Sequence, residues 1–468
     1  MGLLIFILSC FSIVVFSACA YDETKESLPF TGLEAANETY IRVVISTSGF
    51  EGLVHEQVLI TGTGNFFVQG SEQERMFLAN DIFRATSDKY FISTVNPDDR
   101  LIVIGLGRSQ SEGVYPHYRG TFDITRTDGG FIIVNELLLE EYLYAVIPSE
   151  MPSFFGVEAS KVQAVTARSF VLHQIQQSHF REFGAHVDDS VMSQVYNNIP
   201  ENGVSIEAVR STRGQVIMFG DEIALANYFS TSGGTTANFG EVWANGAEFP
   251  SYTPYFLRAG AQFPASMTHP GDLRTEEAAS AFFRNQELPA FDREFPWFRW
   301  QVTMTVAELS DRINQNLSPR RDANPALIYI TNNNSTIGNL QNLRITRRGQ
   351  GGNIMEMFFY GDEANAVVQT EFNIRTLLNP QDIPVTRHDG TLSARLSLLP
   401  SAFFTMELHH CAKSDRLDAV TFFGGGNGHG VGMSQNGVRA LLDMGFTYVE
   451  IIQHFYPGVH LRTIDNMF

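Results

Sequence analysis

The sequence predicts an α+β fold, in which mixed helices and mainly antiparallel strands form a cleft, with a β-rich unit on the N-terminal side. Three observations predict it: short apolar runs between Gly, Asn and Asp turns, a long helical period in the middle of the chain, and two glycine-rich stretches after strand-like runs. At 468 residues the chain exceeds the size at which one core usually splits. We therefore expect two domains or one elaborated domain.

The N-terminal segment predicts export from the cytoplasm. Residues 1–20 are uncharged and largely apolar, which is typical of a secretory signal. Phe16-Ser17-Ala18-Cys19 is similar to a relaxed lipobox and would place a lipid anchor on Cys19. Cleavage after Ala20 and retention as a membrane anchor of borderline length stay open as alternatives. Residues 21–39 are charged and rich in small residues, which predicts a tether, and the location we expect is extracytoplasmic.

Residues 40–116 predict the β-rich unit, and residues 117–468 a larger second domain. Ile41–Ser46, Val58–Ile60 and Leu101–Ile104 are apolar runs of strand length. Thr127-Asp128-Gly129-Gly130 is a hairpin signal. Further on, Trp300–Val306 alternates as a strand and is followed by a helical pattern.

One carboxylate stands at a constrained corner of the chain. In Pro148-Ser149-Glu150-Met151-Pro152 a proline on either side limits the backbone around Glu150. A helical period from Val157 to Ser178 follows, so we place Glu150 just before a helix N-terminus, where the dipole lowers a carboxyl pKa. Three aromatic residues are close enough in sequence to offset this by excluding water: Tyr142, Phe154 and Phe155.

Two glycine-rich stretches predict loops that approach a polar ligand closely. Tyr228–Thr235 combines hydroxyl groups with paired glycines and is followed by Glu241-Val242-Trp243. Gly424–Gly437 holds seven glycines in fourteen residues around His429. The contexts of a Rossmann fingerprint and of a P-loop are not evident, which argues against a nucleotide site. An ordinary hydroxyl-rich turn and a hydrogen-bonded loop histidine stay open as alternatives.

Composition narrows the classes of partner. The chain has 51 acidic and 32 basic residues and a formal charge of −19, which disfavours nucleic acid and anionic lipid. Cys10, Cys19 and Cys411 are the cysteines, and Cys10 lies in the leading apolar segment, so a disulfide framework is not expected. We expect contact with a membrane only through the N-terminal anchor.

Three stretches, namely the corner at Glu150 with the helix after it and the two glycine-rich stretches, resemble the stage II sporulation protein D family, also described as the amidase-enhancer or LytB-modifier family. The resemblance covers the chain from about residue 117 to the C-terminus. The resemblance extends to five further segments: Val134–Leu137, Leu139–Leu143, Lys161–Ser169, Gln194–Tyr196 and Thr212–Val216. It implies a peptidoglycan lytic transglycosylase that cleaves the β-1,4 bond between N-acetylmuramic acid and N-acetylglucosamine and leaves a 1,6-anhydro end. It also implies denuded glycan strands as the preferred substrate, Glu150 as the general acid/base, and no cofactor.

Other residues take expected roles from the same resemblance. Lys161 and Arg168 would orient carbonyl or lactyl oxygens, although an internal salt bridge is an equal alternative for Arg168. Acetamido or hydroxyl groups would bind Gln163, Gln194 and Tyr196. The far wall would consist of Ser230, Ser232, Gly233, His429 and Gln435.

The resemblance also leaves a metal and a second function to consider. Some family members bind zinc through a segment with cysteine and histidine, but His186–Ser193 has no cysteine here, so we expect no metal. The alternative function is that of a non-catalytic glycan-binding enhancer of an N-acetylmuramoyl-L-alanine amidase. The expected partners are therefore peptidoglycan glycan strands and a cell-wall amidase.

Overall fold

The computed structural model describes residues 39–70, 73–108, 115–267 and 271–464. The predicted signal sequence, Cys19 and the predicted tether up to residue 38 lie outside the described residues. Helices and mainly antiparallel sheets are interspersed, which confirms the α+β class. The described helices, in chain order, are α1 (Leu139–Glu150), α2 (Val157–Gln177), α3 (Gly203–Ser211), α4 (Glu276–Arg284), α5 (Val306–Ala323), α6 (Glu371–Leu377), α7 (Gln435–Asp443) and α8 (Tyr448–Phe455).

The strands form six sheets among the described residues. In chain order they are β1 (Tyr40–Val44), β2 (Leu59–Gly62), β3 (Phe66–Gln69), β4 (Glu74–Phe77), β5 (Phe83–Arg84), β6 (Lys89–Thr94), β7 (Leu101–Val103), β8 (His117–Tyr118), β9 (Thr121–Thr127), β10 (Gly130–Leu138), β11 (Val187–Asp188), β12 (Gln215–Phe219), β13 (Glu222–Ile223), β14 (Tyr228–Phe229), β15 (Trp300–Thr305), β16 (Ile328–Ile330), β17 (Leu340–Arg348), β18 (Ile354–Gly361), β19 (Asn365–Gln369), β20 (Val385–Arg387), β21 (Leu392–Ser393), β22 (Phe404–His410), β23 (Leu417–Gly424), β24 (Met433–Ser434) and β25 (His460–Thr463).

A seven-stranded sheet organises the first part of the chain. Its order is β11-β1-β10-β9-β6-β3-β4, and β9 and β10 are joined at the predicted Thr127–Gly130 hairpin. Its buried side chains continue into α1 and α2 in one core. The proposed boundary between residues 116 and 117 therefore falls inside one sheet, because β1 and β6 lie before it and their partners β10 and β9 after it.

The central helix α2 joins two cores. The predicted helical period is confirmed, and the helix ends at Ser178 in the left-handed conformation. Most of its side chains are buried, some in the first core and others in a second core with α4, α7 and α8. In this second region β14 and β24 pair in parallel, which places the two glycine-rich stretches side by side.

A third core lies between a five-stranded sheet (β21-β20-β15-β23-β22) and a four-stranded sheet (β16-β19-β18-β17). The predicted strand at Trp300–Val306 is β15, and α5 follows it with a capping box between Thr305 and Glu308. Among the described helices, none combines the length and the apolarity that a bilayer crossing requires.

Candidate active site

Glu150 is the last residue of α1 and so lies at a helix C-terminus. The prediction that it lies just before a helix N-terminus is wrong, because α2 begins only at Val157. Pro148 lies inside the helix and cannot donate to the carbonyl of Tyr144, four residues back. That carbonyl accepts instead from Ser205 Oγ at 3.1 Å, so the helix continues to Glu150. The C-terminal end of a helix disfavours negative charge, and the dipole therefore supports a neutral carboxyl group.

The carboxyl group of Glu150 is half-buried and held by three donors. Val195 N donates to Oε1 at 2.7 Å, and Gln435 Nε2 donates to Oε2 at 3.1 Å. The Tyr228 hydroxyl also hydrogen-bonds this carboxyl group. Burial raises the pKa of Glu150 above its ordinary 4.5, while the three hydrogen bonds act in the opposite direction. A raised pKa suits a group that must donate a proton.

Buried polar side chains stand behind Glu150. Gln194 Nε2 donates to the Tyr228 hydroxyl at 3.1 Å and to the Ala167 carbonyl at 3.2 Å. The Tyr142 hydroxyl donates to Gln194 Oε1 at 3.3 Å. Gln194 is therefore a buried residue that holds the Tyr228 hydroxyl in place, and it does not face a ligand itself.

Gln163 and Gln435 meet beside the carboxyl group. Gln435 Nε2 is 3.5 Å from Gln163 Oε1, and Gln163 is fully buried. The Gln163 Nε2 atom is buried and has no hydrogen-bond partner among the described residues. An unpartnered buried amide costs free energy unless a ligand or water satisfies it. Gln163 is enclosed by protein, and its contact with Gln435 therefore places it behind the amide that holds Glu150.

Asp292 positions the N-terminus of α7, the helix that begins with Gln435. It is fully buried, and its carboxylate accepts from Ser434 Oγ at 2.8 Å and from Ser232 N at 3.2 Å. Ser434 is the N-cap of α7, and its Oγ also accepts from Gly437 N. This arrangement joins both glycine-rich stretches and orients Gln435 toward Glu150.

We expect ionisation of Asp292 to make stability depend on pH. Burial raises the pKa of Asp292 from its ordinary 3.8 to about 7. A carboxyl pKa that is higher in the folded state contributes stability at low pH, which is lost as the pH rises through that value. From about pH 5 to about pH 8, the free energy of unfolding of the wild type should fall by on the order of 2 kcal/mol relative to Asp292→Asn. Urea denaturation at both pH values measures this, and equal pH dependence in the two proteins would contradict it.

Three of the predicted substrate-binding residues have other partners. Arg168 is fully buried and forms two hydrogen bonds to Glu140, at 2.8 and 2.7 Å, so the alternative of an internal salt bridge describes it. Tyr196 is buried and donates to Asn135 Oδ1 at 2.8 Å. Lys161 Nζ is paired with Glu158 at 2.6 Å on the surface of α2.

The two glycine-rich stretches form one tightly packed wall. A Cβ atom on Gly233 would come within 2.9 Å of the Gly425 backbone, so the close approach requires glycine. Ser232 Oγ accepts from Gly234 N at 3.0 Å, and Ser230 is half-buried and 3.1 Å from Thr231 Oγ1. Their hydroxyl groups therefore organise the loop.

His429 has a fixed and uncharged ring. Its Nδ1 accepts from Val431 N at 3.1 Å, and the ring lies 4.9 Å from Trp243 and 5.7 Å from Phe229. Burial and the charge of Arg375 lower the pKa of His429 to about 3. The ring is therefore neutral at neutral pH and offers an aromatic surface.

Two further expectations can be compared with the structure. Phe154 is 82% exposed, so the prediction that it excludes water from Glu150 is wrong, whereas Tyr142, predicted with it, is fully buried and interacts with Glu150. In the predicted metal-free segment, His186 Nδ1 accepts from Arg42 N at 3.1 Å, and Asp189 forms an ion pair with Arg108. Within the described residues, no group of three or more His, Cys, Asp or Glu side chains is placed to hold a metal ion.

Comparison with known proteins shows that the region around Glu150 matches a known family model. A family model described as stage II sporulation protein matches residues 127–219, which contain α1, α2 and Val195. Stage II sporulation protein D of Bacillus subtilis (strain 168) is 27% identical over 346 residues, covering 71% of this chain and 76% of the relative. The chain is similar to the stage II sporulation protein D family. The resemblance found in the sequence is thereby confirmed.

Other relatives and a second domain complete the comparison. The amidase enhancer of Bacillus subtilis (strain 168) is 25% identical over 321 residues, which are 69% of this chain but 40% of the enhancer. Stage II sporulation protein D of Bacillus amyloliquefaciens is 24% identical over 347 residues, 71% of this chain and 76% of the relative. Residues 237–432 match a domain of unknown function, DUF8618. Asp292 lies in this second domain. Through Ser434 it positions Gln435, which donates to Glu150 in the region that the sporulation-protein model matches.

Gln435→Met should change the pH dependence of any reaction that uses Glu150 as an acid. The amide of Gln435 stabilises the Glu150 carboxylate, so its removal should raise the pKa of Glu150 further. The alkaline limb of the rate profile should then move to higher pH. Phe154→Ala is a matched control, because this exposed side chain should leave the limb in place. Identical limbs in wild type and Gln435→Met would contradict the assignment.

Proposed function

We propose that this protein is a peptidoglycan lytic transglycosylase that cleaves the β-1,4 bond between N-acetylmuramic acid and N-acetylglucosamine in denuded strands. The observation that supports it most strongly is Glu150, a half-buried carboxyl group with a raised pKa at a helix C-terminus. Its hydrogen-bond partners among the described residues are an amide side chain, a tyrosine and a backbone N–H, with no second carboxylate. The similarity to the stage II sporulation protein D family supports a cell-wall role.

One carboxyl group is enough for this reaction. Glu150 protonates the glycosidic oxygen as the bond to the anomeric carbon breaks. The C6 hydroxyl of the same muramic acid attacks that carbon, and Glu150, now a carboxylate, takes the hydroxyl proton. Because the nucleophile belongs to the substrate, no second carboxylate is needed, unlike in most glycosidases. Intramolecular attack also avoids the entropy cost of capturing a water.

The neighbouring residues have consistent roles in this scheme. Tyr228 and Gln435 hold the carboxyl group in place and stabilise the carboxylate after the first proton transfer. Gln163 lies behind the Gln435 amide, and the Trp243–His429 ring pair supplies an apolar surface for a sugar ring. Lys161, Arg168, Gln194 and Tyr196 support the fold around these groups.

Mass spectrometry of the products tests the proposal. Denuded peptidoglycan strands are incubated with the protein, and the fragments are compared with those from a muramidase. Fragments lighter by one water than the hydrolysis products are expected. Fragments with the mass of hydrolysis products would instead indicate a hydrolase.

The second candidate function is a non-catalytic glycan-binding enhancer of an N-acetylmuramoyl-L-alanine amidase. The relative named amidase enhancer favours it. An amidase assay on intact peptidoglycan, with and without this protein, tests it. Stimulation by the wild type and equally by Glu150→Gln, with no anhydro product from either, would support the enhancer and reject the transglycosylase. Under either function we propose an extracytoplasmic location, with Cys19 as the site of lipidation.

A further inference from the structure

One face of the four-stranded sheet in the DUF8618 region presents aromatic rings outward. Register places Tyr329 opposite Val367, Val367 opposite Phe358, and Phe358 opposite Arg344, so one row crosses all four strands. Tyr329 is 65% exposed. The opposite face of the sheet is buried together with α5 and α6 in the third core.

A second row adds a ring and two amides. Tyr360 lies opposite Asn365 and Asn342, and its ring centroid is 4.3 Å from that of Phe358. We define the sugar face as Tyr329, Asn342, Arg344, Phe358, Tyr360 and Val367. It has three aromatic rings and one aliphatic side chain, with amide groups at the edge. Such a surface can stack on the apolar faces of sugar rings and hydrogen-bond hydroxyl and acetamido groups.

The charge at this face is opposite to that of the chain. Within the described ranges, neither Arg344 nor Arg347 has a carboxylate within ion-pair distance; Arg347 lies 5.8 Å from the Phe249 ring. Register places Arg347 opposite Glu356, whose carboxylate also accepts from Thr346 Oγ1 at 2.7 Å and Gln369 Nε2 at 2.8 Å, whereas Arg344 lies opposite Phe358. The guanidinium group of Arg344, on a chain of charge −19, favours a ligand that carries carboxylates. The same net charge disfavours a polyanion as dense as nucleic acid.

The sugar face is connected to the catalytic region. Residues 349–353 join β17 and β18, and Gln350 N donates to the Glu241 carboxylate at 3.0 Å. Glu241 is two residues from Trp243, whose ring packs on His429. Phe358 is four residues along β18 from Ile354, a rise of about 13 Å. The sugar face and the glycine-rich wall beside Glu150 are therefore linked through the Gln350–Glu241 contact.

We propose that the sugar face binds a carboxylate-bearing glycan strand, outside the catalytic site and on the same polymer. A denuded peptidoglycan strand has this chemistry, because each muramic acid without its stem peptide exposes a lactyl carboxylate. The inference rests on the proposed function for the identity of the glycan. The face itself can be tested by binding alone.

The experiment uses the full chain with Glu150→Gln, so that strands are not consumed. Isothermal titration calorimetry with denuded strands measures affinity. Tyr329→Ala should weaken binding by about tenfold, as expected for loss of one stacked ring. Tyr40→Ala is the matched control, since Tyr40 is another exposed strand tyrosine, 52% exposed, in a different sheet.

Charge and position are tested separately. Arg344→Ala should weaken binding of denuded strands by about threefold and reduce its salt dependence, but should not change binding of uncharged chitooligosaccharides. Arg416→Ala, at an arginine whose side chain is 72% exposed, is the control. Hydrogen exchange should show that strands protect β16 and β18.

The outcomes are distinct. Parent-like affinity of Tyr329→Ala and Arg344→Ala, with protection confined to the region of Glu150, would overturn the inference while leaving the transglycosylase intact. Binding of RNA or of an unrelated protein at this face, without glycan, would also overturn it. Binding at the face by a protein that releases no anhydro product would reject the proposed function and retain the inference.

Discussion

Glu150→Gln is expected to reduce cleavage of denuded glycan strands by about a thousandfold or more, because general acid–base catalysis contributes about 10²–10⁴-fold and this residue serves in both proton transfers. Glutamine has nearly the same shape and its carbonyl can still accept from Val195 N. It cannot donate a proton at the glycosidic oxygen and then recover one. Initial rates of anhydro-product formation measure the effect.

Two controls make this result specific. Glu158→Gln changes a half-exposed carboxylate that pairs with Lys161, and it should leave the rate within about twofold of wild type, since surface ion pairs contribute little. Strand affinity of Glu150→Gln should stay close to that of wild type. A variant that binds strands normally and retains a tenth or more of the rate would show that another group is the acid.

The sequence predicts elements well where local pattern and packing agree. The alternation at Trp300–Val306, the helical period of α2 and the turn residues between β9 and β10 all lie in elements that match them. The boundary between residues 116 and 117 could not be judged this way, because it depends on which strands pair. β1 pairs with β10, whose partner residues lie 90 to 98 positions further along, and no local pattern specifies such a partner.

At the site, the chemistry of Glu150 was accessible from its motif, but its position was not. Proline usually marks a helix start or end, yet here Ser205, distant in the sequence, satisfies the carbonyl that Pro148 leaves free. Tyr228 lies in the first glycine-rich stretch, but its orientation depends on a hydrogen bond from Gln194, which is distant in the sequence. Asp292 has no motif at all, and its burial between Ser232 and Ser434 emerges only in three dimensions.

Breaking the buried ion pair between Arg168 and Glu140 is expected to lower the free energy of unfolding strongly. The side chain has no exposure, and besides Glu140 it donates to the Gln215 carbonyl at 3.0 Å, so it joins α1, α2 and β12. Arg168→Met leaves the Glu140 carboxylate, 19% exposed, without its cation. Breaking a buried pair in this way typically costs about 3–5 kcal/mol, and we expect a loss of that order in the free energy of unfolding.

Urea denaturation of four proteins separates this structural role from ligand binding: wild type, Arg168→Met, Glu140→Leu and the double variant. Because each single change strands the partner group, the double variant should be less destabilised than the sum of the two single variants. Strand affinity, measured where the variants remain folded, should change little, since Arg168 is enclosed by protein. If Arg168→Met instead unfolds like wild type but binds strands far more weakly, its guanidinium reaches the glycan and the substrate-binding role given by the family resemblance is correct.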